Sequence, residues 1–475
     1  MITFLISIAL LLGGYFLYSK IIERIFGVSE QALTPAYTKT DGVDYVPMNW
    51  GKVFLIQFLN IAGLGPIFGA IMGAAFGPAA FLWIVFGSIF GGAVHDYLSG
   101  MLSIRHGGLS LHGITEFYLG KTVKNAMSVF TIVLMVLVGA VFISGPARLL
   151  ANMTPDVLDF TFWCVVIFIY YFLATMLPID KLIGRIYPFF GAAFLFMAGG
   201  VLISLLVHQP PIPEAIPGNL YNMKFNSEQY PLFPMMFISI ACGAISGFHA
   251  TQSPLMARCL TNEKLGRRVF YGAMITEGLV ALIWAAAAMS FFGSVDKLQV
   301  FLSENGGNAA VVVETITKTW LGKAGAVLAI IGVVAAPITS GDTAFRSGRL
   351  ILADFFHYNQ KPLRNRLYLA VPLFLTGFIL LQVNFDIIWR YFAWSNQTLA
   401  AITLWVITVA LANSKRFYWI TLVPAIFMTM VVVTYILVAP EGLQMPLTAG
   451  VLISAAVSVL ATSWFFYKKV PLGRQ

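Results

Sequence analysis

The sequence predicts an all-α integral membrane protein of about thirteen transmembrane helices, on the evidence of its composition, its hydropathy and its apolar runs. Of the 475 residues, 59% are hydrophobic and only 10% are charged, whereas soluble domains have roughly 25% charged residues. The mean hydropathy is +0.84. Apolar runs close to the ~20 residues that a spanning helix needs recur along the whole chain. These observations exclude a soluble enzyme, a disordered scaffold and a secreted disulfide module.

Apolar runs bounded by charge, proline or glycine define the candidate spans, which we number 1 to 13 in chain order. Lys20 and Arg24 follow the first run instead of preceding it, so this run predicts a retained helix and not a secretory signal. The runs are 2–19, 53–75, 79–104, 125–147, 160–177, 184–207, 234–257, 269–292, 323–345, 366–382, 385–412, 416–438 and 447–467.

The basic residues predict the orientation in the membrane. When the loops are assigned alternately to two sides, 23 of the 29 Lys and Arg residues fall on one side and 5 on the other, with Arg390 inside a span. Short loops rich in Lys and Arg stay in the cytoplasm, so we expect the N-terminus outside and the C-terminus in the cytoplasm. The net charge of +9 is spread over these loops and does not indicate a nucleic-acid partner.

The centres of spans 2 and 7 carry glycine and proline, which favour a break in each helix. Span 2 contains Gly63, Gly65 and Pro66, and span 7 contains Gly243 and Gly247. Unwound backbone inside a membrane must line a cavity or lie buried in protein. The glycines at four-residue spacing, 65, 69, 73 and 77, instead favour a helix-packing face.

Five spans separate the two breaks, and because five is odd, the second block enters the membrane from the opposite face. This predicts a 5+5 inverted repeat, the architecture of many secondary transporters, with one extra helix before it and two after it. The predicted regions are 1–50, an N-terminal helix and cytoplasmic loop; 51–207, the first repeat; 208–233, an extracytoplasmic loop; 234–412, the second repeat; and 413–475, two further helices and a tail.

We expect the solute to bind between the two breaks, where half-helix N-termini favour a carboxylate. For His249 a hydrogen-bonded core histidine is the alternative to a contact with the solute. The expected substrate-binding residues are Gln57, Asn60, Gly63, Gly65, Pro66, Gly243, Ser246, Gly247 and His249.

Ionisable side chains at depth in a membrane are costly and are therefore functional candidates. Asp96, Glu277 and Asp342 lie inside spans. Arg346 stands four residues after Asp342, the spacing of a helical ion pair, and that pair is either structural or part of a gate. His95 beside Asp96 is either a proton-handling site or a polar contact. The coupling or gating candidates are His95, Asp96, Asp342 and Arg346.

Other side chains carry less functional signal. The histidines at loops or span ends, His106, His112, His208 and His357, are predicted surface groups. The three cysteines form no CxxC, so we expect buried thiols and neither a disulfide nor a zinc site. There is no HExxH, P-loop or GxSxG, and the sequence therefore predicts neither a hydrolase nor an ATP-driven pump, and no resident cofactor.

Four stretches of the sequence, 63–67, 92–97, 242–254 and 339–346, resemble motifs of the carbon starvation protein (CstA) family. The resemblance implies a bacterial inner-membrane permease for peptides or pyruvate, although longer members have further C-terminal segments. The two repeats are also similar to the leucine-transporter fold. This second likeness implies a Na⁺ site whose ligands would be the carbonyls of Leu59, Ala62 and Ala336 with the hydroxyls of Thr339 and Ser340. The alternative is that these hydroxyls bond only within their own helix, and H⁺ coupling stays open.

The sequence thus predicts a cation-coupled secondary transporter that imports a small carboxylate-bearing nutrient by alternating access. The alternatives are a membrane nutrient sensor and an amino-acid symporter of the same fold. The expected partners are a small-molecule substrate and the lipid bilayer, and the oligomeric state stays open.

Overall fold

A computed structural model describes residues 1–42, 44–176, 179–356, 358–360, 362–383 and 385–469. Over these residues the chain is helical and forms no strand, apart from a single bridge between Met48 and Leu260. A helix or a broken helix lies at each predicted span. In chain order these are Ile2–Phe26, Trp50–Ile61 with Gly65–Ala74, Ala79–Arg105, Lys121–Ala151, Phe160–Met176, Ile179–His208, Leu232–Ser239 with His249–Ala257, Glu263–Phe291, Gly325–Ala353, Leu363–Leu380, Phe385–Asn413, Trp419–Val438 and Leu447–Lys469.

Ten of the helices in the described part of the chain are long and apolar enough to cross a membrane alone, and the bent pair of span 2 provides an eleventh. Span 5 has 17 residues, and the two halves of span 7 have 8 and 9. Since each of these helices is shorter than 18 residues, length alone undercounts the spans of this chain.

Some predicted boundaries are wrong. The helix of span 9 belongs to Ala309–Phe355, which begins before the predicted 323 and continues ten residues past the predicted 345. Gly322, at φ 66°, divides it. The sequence also gave no sign of two loop helices, Leu111–Leu119 and Val295–Glu304. Each begins at a serine whose side chain accepts a backbone N–H, so a cap and not an apolar run defines them.

His112, in the first of these loop helices, is buried and not at the surface as predicted. Its Nε2 lies 3.1 Å from the hydroxyl of Thr131 in span 4. Burial, assisted by the positive charge of Lys124, lowers the pKa of His112 to about 4. Exposure was predicted because His112 lies between two predicted spans. The packing of this short helix against span 4 leaves no local pattern in the sequence.

The break in span 2 is confirmed. Helical geometry ends at Ala62, whose ψ is 54°, and the second half begins at Gly65 and Pro66. The two halves differ in direction by 56°. Proline suits the first turn of a helix because its missing N–H would have no intrahelical partner there.

The break in span 7 is also confirmed, and it is longer. The first half ends at Ser239 and the second begins at His249, so residues 240–248 are not helical. All of this segment is buried. Its backbone groups therefore need partners from neighbouring spans.

The two broken helices lie side by side and run in opposite directions. A β-carbon built on Gly65 would lie 2.1 Å from Cβ of Cys242, and one built on Gly73 would lie 2.3 Å from Ile240. At the other end of span 2, the amide of Gln57 donates to Ser253 Oγ at 3.3 Å. Residue numbers rise along one helix as they fall along the other. This antiparallel contact is the arrangement that an inverted repeat requires, and it confirms the predicted packing role of Gly65, Gly69 and Gly73. The prediction was wrong for Gly77, which lies past the end of the helix at φ 86° and faces Met223.

Spans 4 and 9 form a second antiparallel pair beside the breaks. A β-carbon on Gly139 would meet Phe345, and one on Gly348 would lie 3.3 Å from Met135. The phenol of Tyr171, from span 5, lies 2.9 Å from the carbonyl oxygens of both Phe142 and Pro337. These contacts hold the residues that follow Pro337 against the first break.

Candidate solute and cation site

Span 11 supplies the partners for the unwound segment of span 7. The side-chain oxygen of Asn396 accepts the N–H of Phe248 at 2.7 Å and the hydroxyl of Ser246 at 3.1 Å. The neighbouring Gln397 donates to the carbonyls of Ala241 and Ile245 at 2.8 and 3.0 Å. Sequence reasoning missed both amides, because nothing local distinguishes them from other polar residues in an apolar helix.

A buried cluster of ionisable groups adjoins the same segment. One side-chain oxygen of Asp96, in span 3, is hydrogen-bonded to Nδ1 of His95 at 2.8 Å. The other oxygen is hydrogen-bonded to Nδ1 of His249, also at 2.8 Å. All three side chains have no exposure to solvent. The structure thus brings the predicted pair His95 and Asp96 together with His249. Because Nδ1 of His249 is already hydrogen-bonded to Asp96, it could bond to a solute only after the bond to Asp96 breaks.

Glu277 and Cys242 complete the cluster. An oxygen of Glu277, in span 8, lies 3.3 Å from Nε2 of His249 without hydrogen-bond alignment. Donor atoms of Cys242, His249 and Glu277 all lie within 4.8 Å of one another. The sequence marked Glu277 only as a buried acid and Cys242 only as a buried thiol. The cluster went unrecognised because it joins residues from separate spans.

Side-chain amides around the breaks retain unused hydrogen-bonding capacity. In the described part of the chain, the carbonyl oxygens of Gln57, Asn60 and Gln397 are buried and accept no hydrogen bond. Buried polar groups are normally paired. These three acceptors are therefore available to a bound solute or to water.

The hydroxyl of Ser340 lies where carbonyl oxygens from two helices converge. It is 3.2 Å from the carbonyl oxygen of Leu59, 3.0 Å from that of Asn60 and 3.0 Å from that of Ala336. Since a hydroxyl has one proton to donate, two of these oxygens receive no proton from Ser340. Such clustered oxygens suit a hard cation.

The other predicted cation ligands lie beside Ser340. Thr339 donates to the carbonyl of Ala336 at 2.7 Å, so the intrahelical bonds expected for these hydroxyls do form. Ala62 ends the first half of span 2. The next residue, Gly63, is so near that a β-carbon on it would lie 3.3 Å from Ser340 Oγ. Ser340 therefore bonds within its own helix and also across to the first break.

Asp342 and Arg346 form a separate pair, buried along span 9. Their nearest side-chain atoms are 3.7 Å apart, and the guanidinium of Arg346 also donates to the carbonyl of Ala174 in span 5 at 2.5 Å. Neither oxygen of Asp342 has a hydrogen bond among the described residues. The four coupling candidates therefore divide between this pair and the Asp96 cluster.

A cavity of about 210 Å³ opens beside the broken helices. It is lined by Met72 of span 2, Ser239 of span 7 and the cationic side chains of Arg390 and Lys224. Trp389, also in its lining, begins a chain of ring contacts that continues through Phe392, Phe142 and Phe248. This aromatic chain leads from the cavity to the second break.

Comparison with known proteins identifies the family. The family model described as carbon starvation protein CstA matches residues 1–157, 155–321 and 303–435. The chain belongs to this family. The resemblance of the four motifs is thereby confirmed.

Relatives include a peptide transporter CstA of Bacillus subtilis, 26% identical, with 89% of this chain and 87% of that protein covered. The pyruvate/proton symporter BtsT of Escherichia coli is 25% identical, with coverage of 89% and 79%. An uncharacterized membrane protein of Haemophilus influenzae is 44% identical over 64% of this chain and 94% of its own length. The named relatives are transporters and not enzymes.

A solved structure supports the fold. MhsT in complex with L-phenylalanine superposes with a TM-score of 0.55 at 15% identity, covering 86% of this chain and 98% of that one. This likeness confirms the leucine-transporter-like core. The chain is a multi-pass membrane protein with the fold of a secondary transporter.

Proposed function

We propose that this protein imports a small carboxylate-bearing nutrient by alternating access, driven by a cation gradient across a bacterial inner membrane. The observation that carries the proposal is the antiparallel contact of two broken helices, Gly65 against Cys242. Unwound segments at that contact are where transporters of this architecture bind solute and ion. The proposed orientation has the N-terminus outside and the C-terminus in the cytoplasm, which a labelling assay at each terminus would check.

A peptide is the solute that the buried amides favour. The half-helix beginning at His249 directs backbone N–H groups toward the break, which suits a carboxylate. The unpaired oxygens of Gln57, Asn60 and Gln397 suit a donor. A peptide offers both a carboxylate and N–H donors, whereas pyruvate offers only acceptors at neutral pH. The names of the CstA and BtsT relatives support both solutes as candidates.

Sodium is the coupling ion that we propose, bound by the carbonyls of Leu59, Ala62 and Ala336 and the hydroxyls of Thr339 and Ser340. The convergence of three carbonyl oxygens on one hydroxyl supports this site. A cation there would link the first break to span 9. Binding would thereby favour one arrangement of the two repeats, which is how an ion gradient drives solute movement.

The test is uptake of labelled dialanine and labelled pyruvate into proteoliposomes that contain only this chain. We expect dialanine to accumulate under an inward Na⁺ gradient. Replacement of both Thr339 and Ser340 by alanine should abolish the response to Na⁺. Thr376→Ala is the matched control, because its exposed hydroxyl bonds to Pro372 within span 10.

The outcomes separate the parts of the proposal. Accumulation driven by a pH gradient and indifferent to Na⁺ would overturn the sodium site and leave the importer intact. Accumulation of pyruvate alone would overturn the peptide assignment. Binding without movement of solute would indicate a sensor, and equilibration without accumulation would indicate a channel.

A further inference from the structure

We propose that Cys242, His249 and Glu277 form a binding site for a divalent transition-metal ion of the zinc type. The three side chains are fully or almost fully buried, and their donor atoms lie within 4.8 Å of one another. They come from the second break, the half-helix that follows it and span 8. The inference does not depend on the transport proposal.

Buried atoms of this cluster lack hydrogen-bond partners in the described part of the chain. Among the described residues, Nε2 of His249 and both oxygens of Glu277 have no hydrogen bond, and these residues have no exposure to solvent. A buried carboxylate without a partner costs several kcal/mol. The two unsatisfied groups face each other across 3.3 Å, and a metal ion bound by both would satisfy them.

The tautomer of the neutral His249 ring directs a lone pair toward Glu277. Its Nδ1 lies 2.8 Å from an oxygen of Asp96, and an ionised carboxylate can only accept. The proton therefore lies on Nδ1 of the neutral ring, and Nε2 presents a lone pair to Glu277. These two electron-rich atoms repel each other unless a proton or a metal cation lies between them, and a metal cation can bind both at once. A carboxylate that orients a histidine in this way is the usual second partner of a metal-bound imidazole.

The distances between the donor atoms suit a zinc ion. Zinc binds histidine nitrogen at about 2.0–2.1 Å and carboxylate oxygen at about 2.0–2.2 Å, so two ligands at a tetrahedral angle lie about 3.4 Å apart. The observed separation of Nε2 and the Glu277 oxygen is 3.3 Å. The sulfur lies within 4.8 Å of both atoms. A Zn–S bond of about 2.3 Å requires it to lie about 3.6 Å from them, a shift of about 1.2 Å at most.

The donor set selects the class of ion. A thiolate, an imidazole and a carboxylate together suit zinc and its neighbours, whereas Na⁺, Mg²⁺ and Ca²⁺ prefer oxygen alone. The amide of Asn396 donates to Sγ of Cys242 at 3.3 Å, which stabilises a thiolate. One thiolate and one carboxylate balance the charge of a divalent ion. Three protein ligands leave a fourth position for water or a carboxylate.

Cobalt(II) is the probe for this site, since a thiolate bound to cobalt gives a charge-transfer absorption band. The purified full-length protein is stripped with a chelator, loaded with Co²⁺ and washed, and bound metal is counted by mass spectrometry. We expect about one ion per chain and a charge-transfer band. Cys242→Ser should abolish the band, whereas Cys164→Ser, a buried thiol of span 5, should retain it.

Two further variants keep the test decisive if Cys242→Ser does not fold. Glu277→Gln preserves shape and should weaken Co²⁺ binding at least ~10-fold. Asp96→Asn removes no proposed ligand and affects the ion only by changing the partner of His249, and it should weaken Co²⁺ binding ~10- to 100-fold. Wild-type protein that binds no Co²⁺, or a band that persists without Cys242, would overturn the site. Uptake measured on the same stripped protein reports on transport separately, because neither the band nor the metal count requires solute movement.

Discussion

Replacement of Gly65 by alanine perturbs the contact on which the account depends. The new methyl carbon would lie 2.1 Å from Cβ and 2.3 Å from Sγ of Cys242, far inside van der Waals contact. Neither neighbour is the flexible end of a long side chain, so the two broken helices must separate. Overpacking of this kind costs about 1–3 kcal/mol. A free-energy difference of 1.4 kcal/mol changes the population of the transport-competent state by a factor of ten, so we expect uptake to fall about 5- to 150-fold.

Gly91→Ala is the matched control. It adds the same methyl group to span 3, facing the same break, but the nearest atom, Cδ1 of Ile245, is 3.4 Å away. We expect near wild-type uptake and an unchanged unfolding temperature in detergent. Initial uptake rates and thermal unfolding of both variants provide the measurement. Equal behaviour of Gly65→Ala and Gly91→Ala would refute the close antiparallel contact.

Three further predictions follow from other contacts. Asn396→Ala leaves the buried N–H of Phe248 without its partner and should lower the free energy of unfolding by about 1–3 kcal/mol; a loss below about 0.5 kcal/mol in thermal unfolding would show that Asn396 does not stabilise the unwound segment. The pKa of His112 is lowered from 6.5 to about 4 in the folded protein, so between these values the unfolded chain binds more protons than the folded one. Stability therefore decreases as the pH is lowered, by about 2 kcal/mol at pH 5 relative to pH 7.5. His112→Gln should lose less stability over that interval, and an equal loss would show that this imidazole is not responsible. Arg390→Gln removes a cation from the lining of the 210 Å³ cavity and should slow uptake of a peptide with net negative charge, such as alanyl-glutamate, at low salt more than at high salt, which initial rates at two ionic strengths will test.

The breaks were predictable because their cause is local. Gly63, Gly65 and Pro66 disfavour helix wherever they stand in an apolar run, and Gly243 with Gly247 do the same in span 7. Their spacing of five spans then fixes the relative orientation of the repeats. The fold could therefore be inferred from one-dimensional patterns, and the structure confirms it.

The contents of the site were only partly predictable. Asp96 was identified because ionisable groups are rare inside spans, and His249 because it follows the second break directly. Their contact with each other, and with Glu277 and Cys242, joins residues between 7 and 181 positions apart, and helix rotation decides it. Asn396 escaped notice for the same reason. A sequence indicates which side chains are costly to bury, but their partners depend on packing.

Helix ends and loop helices were the least predictable part of the fold. Span 9 continues to Phe355 because Arg346 bonds to Ala174 and lies buried against span 5, whereas the sequence places a charged loop there. An arginine normally marks the end of a span. Here its carbonyl partner and Asp342 allow the helix to continue.

The most direct test of the central claim is a structure of the protein with a bound solute, dialanine or pyruvate, whichever accumulates in proteoliposomes. The account predicts solute density between residues 62–65 and 241–248, within hydrogen-bond distance of Gln57 or Asn60. Density in the cavity lined by Arg390 alone, with residues 240–248 still closed around Asn396, would contradict it.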